Sequence, residues 1–239
     1  MCPGRPVARA VTVLVALLAL PASGAGQLQA APTLLEIAPQ ATSTRLLLRN
    51  AGEEPVTVQA RVYAWSQPHG DDRLVPSDDL AVSPPIVEVP AGGEQIVRVV
   101  RLGPPADGRD RSYRVVVDEL PRETAAGRGV KLRVRYVIPA FVRAPDAHPP
   151  AVTCRIEGGG AHLACENRGG RAAQLGASRL RAGSGEGVVL SDGLLGYVLP
   201  ASRRVWPLAA APPSLHDPAL RLETLLNGRP TTLEVDGSR

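Results

Sequence analysis

The sequence predicts an all-β protein built from two β-sandwich domains. Short segments of alternating apolar and polar residues recur along the chain, and clusters of Gly, Pro and Asn separate them. No stretch of about twelve or more residues has a convincing helical period. The chain has 239 residues, which accommodates two domains of about 100 residues each once an export signal is removed.

Residues 1–25 have the layout of a cleavable secretory signal peptide. Arg5 and Arg9 make a basic start without acids, and residues 10–20 form an apolar run that Pro21 ends. Small residues lead up to Ala25, after which we expect cleavage. An uncleaved anchor is the alternative, but the apolar run is shorter than the roughly 20 residues that span a bilayer. We therefore expect no stable membrane insertion after cleavage.

The charge of the remaining chain is small. Removal of residues 1–25 takes away two arginines and no acid, so the formal net charge falls from +4 to +2. A nucleic-acid-binding surface needs a much stronger basic field. We therefore predict that nucleic acid is not a partner.

The first predicted domain covers residues 26–144 and contains about seven strands, enough for one immunoglobulin-like sandwich. Turn-forming residues separate these strands, most clearly at residues 50–55 and 90–93. The chain alternates from residue 33 on, and strands are predicted at residues 44–50, 56–65, 80–83, 95–101, 112–120 and 130–142.

A proline-rich linker, residues 145–150, leads to a second and smaller predicted β-sandwich, residues 151–239. Its alternation is weaker, and its strands are as short as those of the first domain. They are predicted at residues 152–156, 162–166, 172–180, 187–190, 197–199, 203–208, 220–226 and 230–235.

Two cysteines remain after the predicted cleavage, and they support a hairpin in the second domain. If Gly159 and Gly160 form the loop, then Cys154 and Cys165 are directly opposed on the two strands. Opposed residues in a non-hydrogen-bonded pair are close enough for a disulfide, which an oxidising compartment favours. Two buried free thiols are the alternative, and no second pair of ligands accompanies the cysteines as a zinc site requires.

No residues converge on an enzyme active site. The four histidines fall in predicted loops or on an exposed strand face, and no phosphate-binding, dinucleotide-binding or nucleophile motif is present. Acid pairs lie in turns next to Gly and Pro. We therefore predict a binding protein without enzyme activity, metal or cofactor.

The most informative segment is residues 130–142. Val130, Leu132, Val134 and Tyr136 lie on one face of this predicted strand, and Pro139 lies near its end. Proline cannot donate to a ladder, so the strand should lie at a sheet edge. An exposed apolar edge is a hazard unless the protein uses it, and the use that fits is strand addition to a partner. The alternative is an ordinary sandwich strand that packs only on its own core.

The chain resembles the PapD-like periplasmic pilus chaperones, and most of all their archaic type, which is associated with spore-coat-U-like fimbriae. The resemblance covers about residues 31–144, and several short motifs carry it in a fixed order. These lie at residues 48–55, 58–67, 83–85, 90–93, 95–98, 113–121 and 135–142, with residues 194–200 and 203–206 added in the second domain.

The resemblance implies two immunoglobulin-like domains in an L-shaped arrangement and a location in the periplasm. It also implies partners: pilus subunits, stabilised by donor-strand complementation, and an outer-membrane usher that receives them. Val130, Leu132 and Val134 match the family's groove-filling positions, with Tyr136 on the same face. Arg98 matches a family arginine near the domain interface.

The resemblance fails at the family's anchor for the carboxylate at the subunit's C-terminus. By alignment, the two basic anchor positions are Leu34 and Pro139 in this chain, and neither can bind a carboxylate. We take Arg114 and Arg135 as candidate anchors, because both lie on predicted strands near the cleft and an arginine fork suits a carboxylate.

An exported structural or adhesive fimbrial module is the alternative function. A fimbrial subunit would carry an alternating donor segment at its N-terminus, whereas residues 26–32 show little alternation. An exported enzyme is a third possibility, and the missing catalytic set argues against it.

Overall fold

The computed structural model describes residues 28–104, 106–121, 133–209, 217 and 219–237. The predicted signal peptide lies outside this part of the chain. The described elements are strands and two short 3-10 turns, as the alternation predicts. None of the described residues forms a helix long and apolar enough to span a membrane.

Two packed sheets form the first domain. One has four strands and the other six, and the core lies between them. The first sheet has the order β1 (Leu28–Ala31), β3 (Ser43–Asn50), β8 (Glu94–Arg101), β6 (Leu80–Ser83). The second has the order β2 (Leu35–Ile37), β10 (Arg135–Val142), β9 (Arg111–Glu119), β4 (Val56–Ser66), β5 (Arg73–Pro76), and β7 (Ile86–Val89) also pairs with β4.

Alternation explains the core of this domain. Leu46 and Leu48 of β3 face Val58 of β4 and Val115 of β9, and all four side chains are fully buried. Such a core requires each strand to place every second residue inward. The sheets therefore follow from the pattern that the sequence displays.

Three strands of the first domain were not predicted from the alternation of apolar and polar residues. β1 lies before residue 33, where the sequence shows little alternation, while β5 is exposed along its whole length. β7 is a further short strand that the sequence did not indicate.

The predicted strand at residues 130–142 begins at Arg135 in the structure, and Val130 and Leu132 lie outside the described residues.

The second domain contains all eight predicted strands, each within one residue of its predicted ends. Strand β18 pairs antiparallel with β17 and, through Val235, in parallel with β11, so it joins both halves of the sandwich. The strands are β11 (Val152–Glu157), β12 (His162–Asn167), β13 (Ala173–Arg181), β14 (Gly187–Ser191), β15 (Gly196–Val198), β16 (Ser202–Pro207), β17 (Arg221–Leu226) and β18 (Arg229–Asp236).

The predicted disulfide is confirmed. Cys154 and Cys165 are directly opposed on β11 and β12, their Cα atoms are 4.1 Å apart, and the two sulfurs are bonded. The turn between the strands contains Gly159 with φ at 64°, a backbone conformation that glycine adopts at no steric cost. The glycine turn therefore determines the register that brings the cysteines together.

A buried asparagine ends a core strand in each domain. Nδ2 of Asn50 donates to the carbonyl oxygens of Glu54, Val89 and Pro90, and its Oδ1 accepts from the N–H of Gly52. Asn167 does the same in the second domain, where its Nδ2 donates to three carbonyls and its Oδ1 accepts from Gly169 and Ala151. Both side chains are fully buried, and each one bonds backbone groups of which at least two are buried as well.

The segment between the domains is held against the first domain. Ala144 and Ala147 are buried in its core, and the N–H of Ala144 donates to Oδ1 of Asp110 at 2.9 Å. The proline-rich segment predicted as a polar linker therefore packs on the first domain along part of its length.

Candidate functional site

Strand β10 has one open edge, and only over part of its length. It pairs with β9 from Arg135 to Val142, whereas β2 covers its other side only from Ala140 to Val142. Over residues 135–139, no described strand occupies that second side. The predicted edge strand is thus an edge in its first part and an interior strand at its end.

The two faces of β10 differ as the alternation predicts. Val134 and Tyr136 are half-buried on the side that continues into the core, whereas Arg133 and Val137 on the other side are exposed. The Tyr136 hydroxyl donates to the carbonyl oxygen of Leu28, and its ring packs against the domain's own core. Tyr136 therefore already has intramolecular partners.

An aromatic cluster joins the two domains. Trp65 of β4, Phe141 of β10 and Tyr197 of β15 lie with ring centroids 5.4–6.2 Å apart. All three are buried, together with Ala172 and Leu199 of the second domain. Aromatic pairs at these distances stabilise an interface beyond their buried area.

Arg114 lies against this cluster. Its guanidinium carbon is 3.6 Å from the ring centroid of Trp65 and 5.5 Å from that of Tyr197. Burial lowers the pKa of Arg114, and the nearby Asp72 acts in the opposite direction. Arginine remains charged in spite of such a shift. Among the residues that the structure describes, none forms an ion pair with Arg114.

Arg135 has a different environment. Its exposed guanidinium pairs with Asp118, which also pairs with Arg61. Burial acts to raise the pKa of Asp118, but the hydrogen bonds and the positive charges of Arg135 and Arg61 together outweigh burial and lower this pKa. Arg114 lies opposite Pro139 and Arg135 opposite Asp118, so the two candidate anchors are roughly 13 Å apart along the strands. They do not form one fork.

A cleft of about 280 Å³ lies between the domains beside the aromatic cluster. Leu34, which occupies one of the family's two basic anchor positions, lines this cleft and gives it no positive charge there. Arg143 and Arg171, which the sequence did not single out, line it too. Arg143 pairs with Glu36 and Asp110.

Asp110 and Arg143 lie where the linker leaves β10. Burial raises the pKa of Asp110, against the opposing effects of the Ala144 N–H and of Arg171. Burial lowers the pKa of Arg143, and Arg171 acts in the same direction. The pair therefore shares a poorly solvated position at the cleft.

Arg98 does not lie in the sheet that carries the aromatic cluster and the cleft. It is exposed on β8, opposite Arg45 of β3 and Ser83 of β6. The contacts between the domains described above come from the other sheet. This placement gives no support to a role for Arg98 at the domain interface.

The sequence profile of the pili and flagellar-assembly chaperones, PapD N-terminal domain, matches residues 27–148. The chain belongs to this family. No curated protein matches the chaperone in sequence.

Solved structures extend the similarity to both domains. The complex of chaperone CsuC with the tip adhesion subunit CsuE, from archaic Csu pili of Acinetobacter baumannii, matches with a TM-score of 0.70 and 22% identity. The match covers 90% of the present chain and 100% of the matched chain in that complex. The E. coli chaperone DraB matches with a TM-score of 0.62 and 21% identity. This match covers 88% of the present chain and 96% of DraB.

The complex of the Salmonella enterica SafA pilin with the SafB chaperone matches with a TM-score of 0.62 and 16% identity. This match covers 89% of the present chain and 98% of the matched chain in that complex. At these identities the matches show the fold. They confirm the predicted fold class of two immunoglobulin-like domains, and the family match confirms the resemblance.

Proposed function

We propose that the chaperone holds a pilus subunit by adding the open edge of β10 to the subunit's sheet. The observation that supports this most directly is that no strand in the described part of the chain pairs with the second side of residues 135–139. Main-chain N–H and C=O groups along such an edge can bond an incoming strand, and alternate side chains supply specificity.

Strand β2 limits the length of this contact. It occupies the edge of β10 from Ala140 onward, so a partner strand can pair only with the part that precedes Ala140. The partner strand must end or turn away beside the interdomain cleft. The open edge therefore leads toward Leu34 and the aromatic cluster.

The side chains that enter the subunit would come from Val130, Leu132 and Val134. Val134 is half-buried on the core side of β10, and the other two precede it in the same alternation. Tyr136 fits this role less well, because its hydroxyl and ring already contact the chaperone itself. We therefore propose that Tyr136 supports the open edge from within the chaperone and does not enter the subunit.

Arg114 is the better of the two candidate anchors for a subunit carboxylate. Its guanidinium is partly desolvated and has no ion-pair partner among the described residues, whereas Arg135 is paired with Asp118. A carboxylate would supply an ion-pair partner through a charge-assisted hydrogen bond.

The test is co-expression with candidate pilus subunits, followed by purification of the complex. We expect a one-to-one complex, lost in Val134→Asp because a carboxylate cannot enter an apolar groove. Val137→Asp is the matched control, since Val137 is exposed on the opposite face of the same strand. Equal recovery of subunit with both variants would rule out the proposed donor face.

Export and delivery are part of the same proposal. We expect the mature chaperone in the periplasm, beginning after Ala25, and we expect its subunit complex to bind an outer-membrane usher. Cell fractionation with N-terminal sequencing tests the first expectation. Capture of the subunit complex, but not of the free chaperone, by the usher tests the second.

A further inference from the structure

We propose that residues 67–72, between β4 and β5, form an interdomain clamp that positions Tyr197 beside Arg114, with Gln67 as the positioning residue. The clamp consists of Gln67, a 3-10 turn over Pro68–Gly70, and Asp71 and Asp72. It is a property of the free chaperone and does not depend on the proposed donor strand.

Gln67 binds the backbone of the second domain as a neighbouring strand would. Its Nε2 donates to the carbonyl oxygen of Tyr197 at 2.8 Å, and its Oε1 accepts from the N–H of Leu199 at 2.9 Å. The side chain is only 7% exposed, so these bonds form away from bulk water. Loss of either bond would leave a buried polar group unpaired, which is costly.

Asp72 connects Gln67 to the Arg114 site. Its Oδ1 accepts from Nε2 of Gln67 and from the indole N–H of Trp65, each at 2.9 Å. Trp65 is the ring on which Arg114 stacks. One carboxylate thus holds the clamp and the aromatic platform of Arg114 in a fixed relation.

Gly70 brings the clamp into direct contact with β16. Its φ is 89°, and a Cβ atom built on it would lie 2.4 Å from Cγ2 of Val205. Arg204 of the same strand donates from Nη1 to the Gly70 carbonyl oxygen at 2.8 Å and to Oδ1 of Asp71 at 3.1 Å. A residue with a side chain at position 70 would push the second domain away.

The clamp therefore couples domain docking to the Arg114 site. Gln67 holds the backbone on both sides of residue 198, which sets the Tyr197 ring 5.4 Å from Trp65 and 5.5 Å from Arg114. If the clamp opens, Arg114 keeps the ring of its own domain and loses the ring of the other. By linkage, an anion that binds Arg114 more tightly in the docked state than in the undocked state must also favour docking.

The test compares Gly70→Ala with Gly92→Ala in the full chaperone. Both glycines have positive φ, but a Cβ at Gly92 meets no atom within 4 Å, so this control separates backbone strain from the clash with Val205. We expect Gly70→Ala to lose near-ultraviolet circular dichroism from the aromatic cluster and to shift the Nε–H resonance of Arg114. Gly92→Ala should retain both.

Gln67→Ala provides a second variant without a steric clash, and Gln59→Ala, on the outer face of β4, is its control. We expect the Arg114 resonance to move in Gln67→Ala and to stay in place in Gln59→Ala, with far-ultraviolet circular dichroism unchanged. A purely structural role for Gln67 would lower stability and leave the Arg114 resonance where it is. Unchanged resonances in both Gly70→Ala and Gln67→Ala, or in Gln67→Ala alone if Gly70→Ala does not fold, would overturn the proposal.

Discussion

The guanidinium of Arg114 stacks on the indole of Trp65, with its central carbon 3.6 Å from the ring centroid. The stack holds a cation at the junction of the two domains without an ion-pair partner among the described residues. Such an arrangement orients the guanidinium in advance, so less side-chain entropy is lost when an anion binds.

Replacement of Arg114 by Gln should weaken subunit binding by about 10- to 150-fold, because hydrogen bonds to charged groups contribute roughly 1.5–3 kcal/mol. Titration of a purified subunit, or of a peptide with its C-terminal sequence, would measure the change. Arg135→Gln is the control and should change the affinity by less than about threefold, since Arg135 is exposed and paired with Asp118. The reverse order of effects would assign the anchor to Arg135.

Replacement of Asn50 by Ala should lower the free energy of unfolding of the first domain by roughly 3 kcal/mol. The change removes two buried hydrogen bonds, one to the Val89 carbonyl oxygen and one from the Gly52 N–H, and a buried group left unpaired costs about 1–3 kcal/mol. Asn167→Ala should do the same to the second domain. Urea unfolding followed by NMR resonances of each domain would locate the two effects. Asn227→Gly is the control. The Asn227 side chain also accepts from the Gln174 N–H and donates to the Ala172 carbonyl oxygen, but Asn227 is exposed, so water can replace these bonds, and glycine tolerates its φ of 48°.

Removal of the disulfide in the double variant Cys154→Ala/Cys165→Ala should destabilise the second domain by roughly 3 kcal/mol. The bond closes a loop with a sequence separation of 11, and the estimate follows from the chain entropy that such a closure removes. Urea unfolding with and without reductant measures the change. Reductant should shift the wild-type midpoint and leave the double variant unaffected, while a shift in both would point to another cause.

Alkaline pH should destabilise the first domain through Tyr113. Burial, together with the hydrogen bond from its hydroxyl to Asp79, raises the pKa of Tyr113 to about 12. Because folding raises this pKa, the stabilisation is complete below the unfolded pKa of 10.0 and is lost as pH rises through about 12. Absorbance at about 295 nm follows tyrosine ionisation, and Tyr113→Phe should remove the ionisation step that occurs at the highest pH. Asp79→Asn should move that step to lower pH, and an unmoved step would contradict the role given to Asp79.

The comparison between sequence and structure separates local from long-range information. All eight strands of the second domain could be predicted, because alternation and Gly, Pro or Asn turns are local features. The disulfide could be predicted for the same reason, since one glycine turn sets the register of Cys154 and Cys165. β5 could not, because an exposed edge strand needs no apolar face.

The candidate site was only partly predictable. The sequence by itself determined the family, the sandwich fold and the alternating face that includes Val134. Only the tertiary structure showed that β2 covers the end of β10, that Asp118 engages Arg135, and that Trp65 and Tyr197 enclose Arg114. These relationships join residues that are far apart in the chain. No periodicity encodes them, because they depend on which distant strands pair within the first sandwich and, for Tyr197, on how the two sandwiches pack against each other.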